Sequence, residues 1–361
     1  MSQARLSICI ATMNRATFLD QTLRSILPQA GEDVEVVVVD GGSTDGTEAV
    51  LREHMRSCAR LRYIGLEKPG GVDQDFARAV LEARGKYCWL FSDDDLMKPG
   101  AIQAVLEAVK DPYSLVIVNA EVRTADLAKP IDSRRLHFDG DRVYTPREQA
   151  ELLAETGSYL SFIGGVVMLR EAWCSREQER YYGSAFIHVG VIFQAPLPGD
   201  ALVLAEPWII IRYGNAEWTP RSFDIWMFKW PALVWSFTHI PDWAKEKVVV
   251  RAPWRRAKTL LRYRAAGAYT PEIYQGRIRP VAGSRWMSMW AWLLAHVPGV
   301  LANLMGLIYY RWFHPSSNLE LADMRASRFY LFRPRASVFH RRRTGLDPVV
   351  NGPRRTPGDD R

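Results

Sequence analysis

Four valines in a row, Val36–Val39, sit inside the run Asp33-Val34-Glu35-Val36-Val37-Val38-Val39-Asp40. Such a β-branched run lacks the apolar–polar alternation of a half-exposed strand. It predicts a strand covered on both faces, and hence a largely parallel sheet with helices on each side. Three further runs have the same character: Leu6–Ala11, Tyr87–Phe91 (YCWLF) and Leu115–Asn119 (LVIVN). Between them lies helical spacing. Phe18, Leu19, Thr22, Leu23, Ile26 and Leu27 make one apolar face, ended by Pro28. Val50, Leu51, His54 and Met55 make a second, and Phe76, Ala77, Val80 and Leu81 a third that Gly85 closes. Pro99 opens a fourth, with Ile102, Val105, Leu106 and Val109 on one side. The order βαβαβ predicts a doubly wound α/β domain. In such sheets, ligands bind beyond the carboxyl ends of the strands.

Ala11-Thr12-Met13-Asn14-Arg15 follows the first run. It contains neither GxGxxG nor GxxxxGK[ST], which argues against a dehydrogenase and an ATPase. Asp40-Gly41-Gly42-Ser43-Thr44 follows the second. The glycines let a ligand approach the backbone, and the strand-end carboxylate suits a base or a ribose. The competing reading is a tight turn capped by Ser43 or Thr44. Ser92-Asp93-Asp94-Asp95 follows the third run. Three adjacent carboxylates repel one another, and a divalent cation such as Mg²⁺ or Mn²⁺ would offset their charge. Such cations take oxygen ligands, often one or two from protein with phosphate oxygens completing the shell. The competing reading is a solvated turn leading into a helix.

These pieces together resemble a family 2 glycosyltransferase with the GT-A fold, over residues about 5–120. The matching stretches are LSICIATMNR, VVVVDGGSTDGT and ARGKYCWLFSDDD with the helix start KPGAI. The segment from Gly70 to Ile102 is similar to the abequosyltransferase-type branch, which builds O-antigen-like oligosaccharides. The resemblance implies that Thr12, Asn14 and Arg15 line a nucleotide pocket, with Asp40, Gly41 and Gly42 at the base or ribose. It implies that Asp93 and Asp95 bind metal and the sugar-nucleotide diphosphate, with Asp94 toward the ribose or sugar. Between Gly70 and Gly85 the family's Ala-Arg-Asn is replaced by Asp75-Phe76-Ala77. Asp75, with Asp73 and Arg78, is the donor contact expected there.

Sugar transfer also needs a base for the acceptor hydroxyl. Phe162–Glu171 reads as the strand and basic turn that precede the family's acidic pair. In place of that pair stands Gly183-Ser184-Ala185-Phe186-Ile187-His188-Val189-Gly190. His188, with a suitable unperturbed pKa, is the candidate base. The alternative is a packed core histidine. Asp200, Glu206 and Glu179 are fallback carboxylates.

The formal charge of +7 hides a division. Residues 1–219 are net acidic, whereas residues 220–361 are strongly basic and hold most of the 13 tryptophans. At 48% apolar and 24% charged residues, the chain is an ordinary globular one rather than a disordered one. Four separated cysteines without a CxxC argue against a zinc or disulfide scaffold and suit a reducing compartment. Ser222–Ile240 and Trp286–Phe313 are aromatic and apolar, but Pro231 interrupts the first and His296, Pro298 and Gly299 the second. Each half of the second window is too short to span a bilayer. Flanking arginines and Trp/Tyr near the ends predict an amphipathic or re-entrant membrane attachment. Core helices and a true span are the alternatives, and no nucleic-acid-binding module is present.

The expectation is therefore a GT-A catalytic domain over 1–218, a helical membrane-associated region over 219–340 and a disordered tail over 341–361. The expected reaction is metal-dependent, inverting transfer with Mn²⁺ or Mg²⁺. The donor would be a nucleotide-diphosphate sugar and the acceptor a glycan or lipid-linked oligosaccharide. The expected place is cytoplasmic, on the inner face of the cell membrane. A nucleotidyltransferase and an inactive nucleotide-sugar-binding scaffold are the rival readings.

Overall fold

The computed structural model describes residues 4–214, 222–314 and 317–332. The chain begins with β1 (Leu6–Thr12), α1 (Ala16–Ile26), β2 (Val34–Asp40), α2 (Thr47–Ser57), β3 (Leu61–Gly65), α3 (Val72–Glu82) and β4 (Tyr87–Phe91). It continues through β5 (Leu96–Met97), α4 (Ala101–Ala108), β6 (Leu115–Thr124), β7 (Pro130–Asp132), β8 (Arg142–Tyr144) and α5 (Gln149–Thr156). Then come β9 (Val166–Leu169), α6 (Arg170–Cys174), α7 (Ile187–Phe193) and β10 (Ala201–Tyr213).

The main path of the sheet runs β3-β2-β1-β4-β9-β6-β10-β5. The four expected strands are present, and every residue of β2 is buried. β1 pairs in parallel with both β2 and β4, and β2 with β3. β9 enters antiparallel between β4 and β6, so the sheet is mixed. Five of the ten strands, β3, β5, β7, β8 and β10, were not expected from the sequence. β3 (LRYIG) is a half-exposed edge strand, and β10 is split by an irregularity between Leu204 and Ile209.

The C-terminal part is helical: α8 (Ser222–Asp224), α9 (Trp230–Trp235), α10 (Asp242–Val248), α11 (Ala257–Ala266), α12 (Pro271–Ile273), α13 (Arg285–His296), α14 (Gly299–Phe313) and α15 (Asn318–Ala326). A π-helical turn, Ile225–Lys229, joins α8 to α9 just before Pro231. Proline cannot donate into the ladder, and a widened turn accommodates that loss.

The sequence placed residues 222–240 in a membrane-facing region, and the structure corrects this. Ile225, Trp230, Leu233, Val234, Phe237, Ile240 and Ala244 are buried in one continuous core with the sheet. Phe186 packs its ring 4.7 Å from Trp230 and 5.7 Å from Trp226. The core of the sheet domain thus runs past the expected boundary at 218, which itself lies outside the described residues. The expected disordered tail, 341–361, also lies outside them.

The remaining helices form a layer with two small cores of their own, one around Phe223, Tyr269 and Ile278 and one around Ala265, Ala302 and Met324. Asn303 donates from Nδ2 to the carbonyls of Ala265 (3.1 Å) and Met324 (2.8 Å), pinning α14 to α11 and α15. The outer face of α13 and α14 is uncovered. Trp286, Trp290, Leu301, Met305, Trp312 and Phe313 are all exposed, Trp312 to 77%.

Candidate active site

Register in the parallel strands brings the three turns together. Thr12 lies opposite Asp40 across β1 and β2, and Ile10 lies opposite Phe91 across β1 and β4. The residues that follow these strands therefore share one edge of the sheet. Thr12 donates from Oγ1 to Oδ2 of Asp93 at 2.7 Å. Arg15 donates through Nη2 to Asp94, and its Nε lies 3.5 Å from Oδ1 of Asp93. The guanidinium also stacks 4.7 Å above Phe18.

Asp40 is buried and accepts from the backbone N (2.9 Å) and the Oγ (2.6 Å) of Ser43. The competing reading of this turn as a capped one thus has physical substance, although Ser43 precedes α2 by four residues. Tyr63 reaches the second oxygen of Asp40 at 3.4 Å. Asn14 adopts a left-handed backbone, φ 57°. In this conformation its Oδ1 accepts from the backbone N of Thr44 at 2.7 Å, and its own N donates to Oγ of Ser43 at 2.7 Å. Asn14 therefore stitches the first turn to the second, with both of these bonds made inside the protein.

Gly42 has φ 85°, and a Cβ there would lie 3.1 Å from the carbonyl oxygen of Leu66. A side chain at Gly41 would come within 3.0 Å of Oδ2 of Asp75. Asp75 is buried and accepts from the backbone N of Gly70 at 3.2 Å. Burial raises its pKa, and the nearby Asp40 adds to the rise. Asp75 also lines a cavity of about 500 Å³ with Lys68, Gln74, Arg78, Trp173 and Tyr182. Asp73, by contrast, turns away into the protein. It accepts from the backbone N of Ala185 (2.8 Å) and Ile187 (3.0 Å), tying α3 to the start of α7. Arg78 pairs with Glu82 one turn along its own helix, at 2.6 Å.

The acidic turn carries surplus negative charge. Burial and the neighbouring Asp94 push Asp93 up to about 7, against the opposing pull of Arg15 and Thr12. The same two causes, in the same order, raise Asp95 well above the carboxylate range. Asp95 is buried and accepts from the backbone N of Arg212 at 2.8 Å. Among the described residues, no group of three His, Cys, Asp or Glu side chains converges to hold a metal by itself. Two hard carboxylates whose charge is offset only in part by Arg15, Thr12 and the Arg212 backbone nevertheless fit a divalent cation that takes most of its shell from phosphate and water.

His188 is not brought to this surface. It lies on α7, is 1% exposed, and donates from Nε2 to the carbonyl of Leu160 at 2.7 Å. Its Nδ1 is buried without a partner, and burial lowers its pKa to about 4. The packed-histidine alternative describes its surroundings, and the base role expected of it lacks a path to an acceptor hydroxyl. The fallback carboxylates are scattered. Glu206 faces Arg134 at 3.8 Å, Glu179 is exposed on a short helical turn, and Asp200 precedes β10.

The mixed sheet, with an acidic turn after β4 and a carboxylate after β2, has the GT-A-type fold. Residues 7–175, just under half of the chain, match the model of glycosyl transferase family 2. The protein is accordingly a glycosyltransferase whose residues 7–175 are similar to family 2. It is 26% identical over 234 residues to an abequosyltransferase of Salmonella typhimurium, covering 60% of this chain and 69% of that one. It is 24% identical over 139 residues to a GalNAc(5)-diNAcBac-PP-undecaprenol beta-1,3-glucosyltransferase of Campylobacter jejuni, covering 38% and 45%. The chain thus spans about two thirds of the first relative and under half of the second. The fold is shared with TarS of S. aureus (TM-score 0.54, 14% identity, 89% of this chain and 55% of that one). It is also shared with a mannosyltransferase of Pyrobaculum calidifontis in complex with GDP-Man and Mn²⁺ (TM-score 0.51, 14% identity, 90% and 86%).

Proposed function

We propose that the protein moves a sugar from a nucleotide-diphosphate donor, with inversion, to a glycan or lipid-linked acceptor at the inner face of a membrane. The observation that carries the reading is the acidic turn Asp93–Asp95 at the carboxyl end of β4. It contacts Thr12 and Arg15 on the same sheet edge that holds Asp40. In this reading Thr12, Asn14, Arg15, Asp40, Gly41, Gly42, Asp75 and Asp94 form the wall against the donor nucleotide. Asp93 and Asp95 would hold Mn²⁺ or Mg²⁺. Such a cation, when bound, offsets the charge of the departing diphosphate. The side chains themselves fix the donor, and fixed geometry contributes much of the rate in a transfer between two bound substrates.

The membrane placement is supported by the uncovered helical face. α13 and α14 form a pair bent by 93°, and no single helix is long and apolar enough to cross a bilayer. Exposed apolar side chains on both helices suit shallow insertion. Arg256 and Arg285 are exposed in the same layer, whereas Arg251 and Arg255 stack on Trp235 and Trp254, and Arg277 pairs with Asp224. The relatives include an enzyme named for a polyprenyl-linked saccharide, which is consistent with an acceptor held in lipid.

The test is thermal stabilisation by a panel of nucleoside diphosphates and nucleotide sugars, with Mn²⁺ and with EDTA. Binding to the native state raises stability by RT ln(1 + [L]/Kd), about 2.7 kcal/mol at a hundredfold excess over Kd. One nucleotide should stabilise strongly with Mn²⁺ and weakly with EDTA. No response to any donor would refute the reading.

A further inference from the structure

β10 ends in two residues that face opposite ways, Arg212 and Tyr213. Arg212 is buried to 7% exposure, and its guanidinium bonds in three directions. Nε donates to the carbonyl of Asp94 at 2.9 Å, Nη1 to the carbonyl of Ala125 at 2.8 Å, and Nη2 to Oε1 of Gln21 at 2.5 Å. Its own backbone N donates to Oδ1 of Asp95 at 2.8 Å. The side chain stacks 5.1 Å from the ring of Phe18, which Arg15 also covers. One residue therefore holds two members of the acidic turn and anchors them to α1 and to the loop beyond β6.

Tyr213 faces the other way. Its OH donates to Oδ1 of Asp323 on α15 at 2.6 Å. α15 is joined to α14 through Asn303 and to α11 through the pair Arg262–Glu320 at 3.6 Å. The strand end thus lies between the acidic turn and the helical layer.

We propose that Arg212 is the positioning residue of the acidic turn, and that Tyr213 steadies it by fastening the strand end to the helical layer. Arg212 touches no reacting atom in this assignment. It fixes the peptide of Asp94 and one oxygen of Asp95, so that the carboxylates of the turn keep one arrangement for a cation. A guanidinium suits this task because its planar fork serves several acceptors at once, which an ammonium cannot do. The proposal rests on the glycosyl-transfer reading above.

The test compares wild type with Arg212→Lys, Arg212→Met, Gln21→Met and Tyr213→Phe. The readouts are Mn²⁺ binding followed by electron paramagnetic resonance in the presence of UDP, GDP or CDP, and donor KM against kcat. Losing a charge-assisted hydrogen bond at the turn should weaken Mn²⁺–nucleotide binding about 10- to 100-fold in Arg212→Met. Arg212→Lys should recover part of this. Gln21→Met removes one exposed prong of the fork and should cost about 3-fold without threatening the fold. Tyr213→Phe should show a smaller loss in the same direction. Activity alone does not judge Arg212→Met, because it leaves the carbonyls of Asp94 and Ala125 without this donor; the Gln21 and Tyr213 variants keep the proposal open to refutation. Unchanged Mn²⁺–nucleotide affinity in folded Gln21→Met, Tyr213→Phe and Arg212→Lys would overturn the proposal while the function stands. Wild type that binds neither Mn²⁺ nor any nucleotide would overturn both.

Discussion

In the sheet domain Asp40, Asp73, Asp75 and Asp95 are buried, while in the helical layer Trp286, Trp312 and Phe313 stand in the open. Each region holds what folding alone would place elsewhere. Burying a carboxylate is costly unless it is paired, and large apolar side chains are normally covered. The two regions resolve this differently. Asp73 is satisfied internally by two backbone N–H groups and needs no ligand. Asp93 and Asp95 lie in one short turn with Asp94, where burial first and the neighbouring carboxylate second raise their pKa values. The aromatic face of α13 and α14 has no internal remedy among the described residues. The contrast teaches that burial alone does not mark a site: the informative groups are those whose cost is not offset inside the chain.

The comparison breaks most sharply at the acidic turn. Asp93→Asn or Asp95→Asn should lower transfer by at least about 100-fold, since each removes a ligand of the cation that would offset the charge of the leaving diphosphate. Thermal stability should hold or rise, because a buried repulsive carboxylate is neutralised. Steady-state kinetics beside a melting curve check both halves of the statement. A variant with normal turnover would leave the turn as structure only.

His188 supplies the next largest effect, and here the sign follows from burial. Its folded pKa of about 4 lies below the ordinary value of 6.5. The unfolded chain therefore binds the proton more readily between these values. Stability contributed by the neutral ring is fully present above pH 6.5 and declines as the pH falls toward 4, by on the order of 3 kcal/mol. Denaturant unfolding of wild type and His188→Gln across that window should show a steep pH dependence that the variant lacks. A transfer rate in His188→Gln within a few-fold of wild type would confirm that the ring packs rather than reacts, and a loss of transfer with donor binding intact would restore the base role.

On the helical layer, Met305→Glu or Trp312→Glu should weaken binding to vesicles containing anionic lipid by about 30-fold each. This corresponds to roughly 2 kcal/mol of apolar burial per large side chain. Melting temperature should barely move, because both side chains are already exposed. Flotation assays distinguish this outcome from one in which the face covers another protein, where vesicle binding would be absent in wild type as well. The smallest effect is expected at Arg78→Ala. Its pair with Glu82 is an exposed helical one, worth about 0.5 kcal/mol or less. A tenfold rise in donor KM there would instead place part of the donor in the cavity beside Asp75.

Much of this was legible in the chain. The runs Leu6–Ala11, Asp33–Asp40, Tyr87–Phe91 and Leu115–Asn119 announced four strands, since an unbroken apolar run leaves few other ways to be covered. β3 was missed because a half-exposed edge strand of five residues has no such run, and its sequence, LRYIG, resembles a loop. The clustering of Thr12, Asp40 and Asp93 also followed from the strand-end rule, because parallel strands put their carboxyl ends at one edge. Arg212 carried no signal. It lies 117 residues beyond Asp95 and meets it only because β5 pairs with β10.

The aromatic segments show where sequence stops. Residues 222–240 and 286–313 look alike in composition, yet the first is divided between the core of the sheet domain and that of the helical layer, and much of the second faces outward. Apolar content states that a side chain avoids water and is silent on whether protein or lipid does the covering. The same holds for His188, whose residue type suits a base in water and whose position in α7 denies it that water. Local pattern determined the strands, the turns and the acidic motif, because these depend on neighbours a few residues apart. Which groups face a ligand, a core or open solvent was decided by packing between segments more than a hundred residues apart, and only the tertiary structure contains those contacts.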